Sequence, residues 1–150
     1  MGYYMRFIVT DEKKVSLTEL ESGLRQTDAD YRIDKGENEE REGVLIHSEA
    51  VYGELSVNEP KDGLFDEEIE ELKEFLEEAD ESAAKEKVSE VLNRAKSLIA
   101  IRVLSQSRGI EETFEKLDPV WNWLFENRQG LLQADAEGYY DASGLVLEVD

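Results

Sequence analysis

Few residues in this chain have the types and spacing that do chemistry. The one histidine, His47, stands between Ile46 and Ser48 in a strand-like run. An imidazole there can act as a general base or as one ligand to a metal ion. No cysteine and no second histidine joins it, so the plainer expectation is a structural or exposed ring. Ser105 and Ser107 lack the flanking glycines of a G-x-S-x-G turn, and no triad is marked. Asp135, Glu137 and Asp141 gather in DAEGYYD, and their hard oxygens suit calcium or magnesium. The glycine and closing glutamate of an EF-hand fall in the wrong places, and acids beside a glycine turn are ordinary hairpin chemistry. A glycosidase pair would be defined by carboxyl separation rather than by spacing along the chain. The expectation is therefore no metal and no cofactor.

Phosphate cradles are missing too: neither G-x-x-x-x-G-K-[ST] nor G-x-G-x-x-G occurs, and nucleotide binding has no motif behind it. What stands out is residues 121–141, WNWLFENRQGLLQADAEGYYD, with five aromatics in one short stretch. Trp121 and Phe125 are one helical turn apart, while Trp123 projects elsewhere. The helix must then be buried on two sides or leave a tryptophan at the surface. Tyr139 and Tyr140 pose the same question on a strand, whose successive side chains face opposite ways. His47, Trp121, Trp123, Asp135, Glu137, Tyr139 and Asp141 together define a possible pocket for a small ligand or a hydrolytic reaction.

The second candidate surface is electrostatic. Net charge is −20, a field that repels phosphate backbones, and no Lys/Arg cluster offers a basic groove; nucleic-acid binding is not expected. Residues 61–81 hold 11 acids and two bases, whereas residues 82–116 carry a net +2. Within the acidic stretch Glu67, Glu70, Glu71, Glu74, Glu77 and Glu78 form a wall opposite an apolar stripe of Phe65, Ile69, Leu72, Phe75, Leu76 and Ala79. Such a wall is either a solvated face or a surface that steers a basic protein.

The elements that must position these groups follow from periodicity. YYMRFIV (3–9) predicts a strand with Met5, Phe7 and Val9 on one face. Ser16 and Glu19 have capping-box spacing, Val15 and Leu20 the matching staple, and Leu17, Leu20 and Leu24 one helical stripe. Residues 30–34 suggest a second strand and GENEERE a loop. VLIHSEAVYGELSV (44–57) reads as two strands turning at Ser48–Glu49, or as one strand bulged at Gly53. A helix is expected from about Ser82 through Leu104, ending at Gly109. Asp118 is expected to cap a new helix at Pro119. LLQAD and LVLEVD predict a final hairpin, with Leu145, Leu147 and Val149 inward.

These readings give one α+β domain over residues 1–150: a mostly antiparallel sheet, with a β-α-β-β-β start and a C-terminal hairpin, covered by a helical layer from the second half. No run approaches the roughly 20 apolar residues of a membrane span. The opening MGYYMRFIVT resembles no secretory leader, and Arg6 stands where a myristoylation signal after Gly2 needs Ser or Thr, so a soluble cytoplasmic protein is expected. No motif ties the chain to a family. The expected role is binding: an acidic interaction or inhibitor-like protein that engages a basic partner, with small-ligand binding or hydrolysis as the alternative.

Overall fold

The computed structural model describes residues 3–36, 41–61, 63–105 and 108–149. Gly2, Ser107 and most of the GENEERE loop lie outside them. Twelve elements follow in order: β1 (Tyr3–Val9), α1 (Leu17–Thr27), β2 (Tyr31–Lys35), β3 (Glu42–His47), β4 (Ala50–Asn58), α2 (Leu64–Glu77), α3 (Ala83–Asn93), β5 (Ser97–Val103), α4 (Ile110–Asn127), β6 (Gly130–Ala134), β7 (Gly138–Asp141) and β8 (Gly144–Glu148). The strands form one eight-stranded sheet, ordered β2-β3-β4-β5-β1-β6-β7-β8. Every pairing is antiparallel. This is an α+β fold with an antiparallel sheet, as the sequence predicts.

Helices cover both faces. Met5, Phe7 and Val9 of β1 pack in one core with Leu17, Leu20 and Leu24 of α1 and Leu117, Val120, Trp121 and Leu124 of α4. Ile8 packs on the opposite face with Leu98, Leu131 and Tyr139, beneath Phe65, Ile69, Leu72 and Leu76 of α2 and Val88 and Leu92 of α3. That second core includes no residue of β2, β3 or β4. On the same side of the sheet, Arg102 of β5 donates to Glu54 of β4 at 2.9 Å near the surface.

Local signals explain several joints. Ser16 accepts from the Glu19 N–H at 3.3 Å and caps α1. Ser48 and Glu49 take φ of 47° and 74°, the positive values of a two-residue primed hairpin turn. Leu45 pairs with Gly53 and Ile46 with Val51, which leaves Tyr52 as an extra residue. The two-strand reading therefore holds and the single continuous strand does not; a bulge does occur in β4, at Tyr52 beside Gly53.

Three expectations need correction. Residues 98–103 are strand β5, not helix; Ser97–Ile101 is wholly buried because helices cover both faces of this strand. An apolar run of that length carries no period by which to tell strand from helix. Second, α4 runs through Pro119 without a break, and Asp118 is a helical residue, not an N-cap. The buried face Thr113, Leu117, Val120, Trp121 and Leu124 continues across the proline and offsets the ~3 kcal/mol that interior proline costs. Third, the C-terminal unit is a three-stranded meander, with GYYD as its middle strand. Leu145 is exposed there, while Leu147 and Val149 pack partly on the second core.

Candidate functional site

Helix α2 carries the most concentrated charge. Phe65, Ile69, Leu72 and Leu76 are buried at helical spacing, so the opposite side is held outward by the packing of this stripe. Asp66 and Glu67 occupy the first turn, where carboxylates complement the helix dipole. At the other end, Lys85 of α3 donates to the carbonyls of Glu77 at 3.3 Å and Ala79 at 2.8 Å. This supplies the cation that the last turn of α2 lacks.

Glu67, Glu70, Glu71, Glu74, Glu77 and Glu78 are all exposed. Among the described residues, the ion pair recorded for these six is Glu70 with Lys73, at 4.0 Å. Glu68 is the exception on this helix, half-buried and facing Arg6 at 3.7 Å. Phe75 departs from the expected stripe: it is 57% exposed, beside Glu71, Glu74 and Glu78. The helix thus presents an aromatic ring at the border of its carboxylate face, where it also lines a hollow with Leu147 and Val149.

A cavity of about 630 Å³ lies on the other side of the sheet, between α4 and the β6–β7–β8 meander. Met5, Leu132 and Ala134 form its sheet wall, Phe114, Trp121 and Phe125 its helix wall, and Tyr140 its flank. Phe125 is fixed edge-on against Phe7, with centroids 5.0 Å apart. Four acids, Asp118, Glu126, Glu137 and Asp141, also line the space. Glu137 is held at both oxygens: Tyr140 donates to Oε1 at 2.8 Å, and the Tyr3 hydroxyl donates to Oε2. Burial first, and then this bond, push the Tyr3 phenol well above its usual range. The bond to Glu137 also raises the Tyr140 phenol, with burial adding to it. Desolvation and the nearby Glu115 raise the Asp118 carboxyl, although that residue as a whole is exposed.

The pocket residues expected from sequence do not converge. Trp121, Glu137 and Asp141 line this cavity. Asp135 and Tyr139 border a different hollow, with Arg6 and Glu68. Asp135 accepts from Arg6 at 2.8 Å, from the Tyr4 N–H at 3.0 Å and from Gln133 at 3.2 Å, a structural knot between β1 and β6. Trp123 lies in a groove between α1 and α4. Both tryptophans are therefore covered, Trp121 at 3% exposure by the sheet and Trp123 partly by α1. Tyr139 and Tyr140 pack on opposite faces of the sheet.

His47 sits near the β2 edge, far along the sheet order from the cavity strands. Its Nε2 lies 2.8 Å from Oδ2 of Asp28, and its ring packs edge-on to Tyr31 at 4.6 Å. Asp28, Asp30 and His47 place one potential ligand atom each within 4.8 Å of one another. The Asp28 carboxyl, lowered by the His47 hydrogen bond and then by the Asp30 N–H, already has those partners within the chain. Ser105 is half-buried and lines none of these spaces.

Sequence reasoning missed Tyr3 and Tyr140 as partners of Glu137, and Phe114 and Asp118 as lining of the cavity. Asp118 has a readable signal, since it lies three residues before Trp121 on one helix face; Tyr3 has none, because strand order alone brings β1 beside β6. Among the described residues, no helix is long and apolar enough to cross a membrane. Comparison with protein-family models, curated proteins and solved structures finds no match to this chain.

Proposed function

We propose that this chain is an acidic, cytoplasmic interaction protein whose α2 outer face docks on a basic protein. The observation that carries the reading is Phe75, 57% exposed on a helix whose six outer glutamates are unmatched except for the loose pair with Lys73. The charge supplies long-range steering. An exposed aromatic ring bordering those carboxylates supplies an anchor of the kind that carries most of the affinity in protein interfaces. The same charge disfavours nucleic acid as the partner.

The test is affinity capture from native lysate with the wild-type chain, with Glu70, Glu74 and Glu77 reversed to Lys, and with Phe75→Ala. A partner held by this face binds the wild type, falls away steeply with added salt and is lost from both variants. Binding that survives the reversal counts against the proposal. The cavity supports a second reading, small-ligand binding. Hydrolysis draws less support, since His47 and Asp135 stand away from that cavity.

A further inference from the structure

We propose that the cavity between α4 and the β6–β7–β8 meander binds a small organic ammonium ion. Its volume of about 630 Å³ falls in the ~300–1,000 Å³ range of small-molecule sites. Its chemistry is specific in two ways. Four aromatic residues, Phe114, Trp121, Phe125 and Tyr140, line it, and the faces of aromatic rings attract organic cations. The lining also holds four carboxylates and, among the described residues, no lysine or arginine.

A hollow beside Phe75 also holds three carboxylates without lysine or arginine among the described residues, and the groove beside Trp123 two, but each has a single aromatic residue where this cavity has four. The hollow near Tyr139 contains its own cation, Arg6, and the groove beside Trp123 is lined largely by hydroxyls and amides. In the cavity the nearest compensation is Lys87, 3.6 Å from Asp141, and Lys87 does not line the space. Asp118 and Glu126 are exposed and Glu137 and Asp141 half-buried, and the excess of negative charge around an aromatic-lined space favours an occupant that brings positive charge with it.

One detail favours binding at this wall. Glu137 does not have to be ordered on binding, because Tyr3 and Tyr140 already hold both of its oxygens; such preorganisation reduces the entropic cost of association.

The probes are choline and spermidine, with 3,3-dimethylbutan-1-ol as the uncharged isostere of choline. Trp123→Phe leaves Trp121 as the one tryptophan reporter, and Trp123 does not line the cavity. In about 0.15 M salt, a saturable change in Trp121 fluorescence with choline or spermidine, and none with the isostere, is the expected result. Glu137→Gln and Asp118→Asn should each weaken binding by about tenfold, the loss of one charge-assisted contact. Charge reversal at Glu70 on α2 should leave it unchanged, which separates this site from the docking face. Absence of saturation with both cations, an equal response to the isostere, or binding indifferent to both cavity variants overturns the proposal. Urea unfolding of each variant confirms that the fold is retained.

Discussion

The indole of Trp123 lies across Gly23, so closely that a Cβ on Gly23 would overlap the ring. This contact joins α1 to α4 on the cavity side of the sheet and lets the amphipathic faces of both helices reach the same core. It also explains how two tryptophans that point apart on one helix both find cover.

Gly23→Ala should therefore destabilise the protein by about 1–3 kcal/mol through overpacking. Removing the obstruction should relieve part of that loss, so Gly23→Ala combined with Trp123→Ala should cost less than the sum of the single changes. A double-mutant cycle by urea denaturation checks this. Simple additivity would mean that the two side chains do not meet.

Phe75 and Leu72 are three residues apart on α2 but should behave in opposite ways. Leu72 is 6% exposed and Phe75 57%. Leu72→Ala should cost about 2–5 kcal/mol of stability, while Phe75→Ala should stay within about 1 kcal/mol. A large stability loss on removing Phe75 would place that ring in the fold and withdraw it from the docking surface.

Glu21 ties α1 to β2, accepting from the Ile33 N–H at 2.7 Å and from Lys35 at 3.0 Å. Desolvation pulls its carboxyl upward, but the Ile33 and Lys35 bonds outweigh it, and the net shift is downward. A carboxyl lowered by folding adds stability that is fully present above its unfolded value, near pH 4.3. That stability is lost as pH falls through the folded value. Glu21→Gln should flatten this part of the stability–pH curve and leave its slope near neutrality unchanged. An unaltered acid limb would show that the two bonds do not hold in solution.

Salt should stabilise this protein. With a net charge of −20 and 11 acids between residues 61 and 81, mutual repulsion opposes the compact state, and added ions screen it. The thermal midpoint should rise with sodium chloride and level off once exposed charges are screened. A midpoint that is flat or falls with salt contradicts this.

The elements that periodicity exposes are the ones the sequence shows well. β1, α1 and α2 each bury one face, so alternation or a 3.6-residue stripe marks them, and the Ser16 cap and the Ser48–Glu49 turn mark their ends. β5 lies under helices on both sides, and burial all round erases the period that distinguishes strand from helix. Phe75 was assigned inward by spacing alone, yet Leu72 and Leu76 already fill the contact with the sheet. The acidic face was legible because it is local to one helix. The cavity was not, because Tyr3 and Glu137 meet only through the strand order β1-β6-β7, which no local pattern encodes.

The docking face is tested most directly by amide chemical-shift mapping with a lysine-rich amphipathic helical peptide as the basic probe. Shifts confined to residues 67–78 and centred on Phe75, abolished by high salt and by reversal of Glu70, Glu74 and Glu77, are the predicted result. Shifts spread evenly over the acidic surface, or a pattern that leaves α2 untouched, would contradict it.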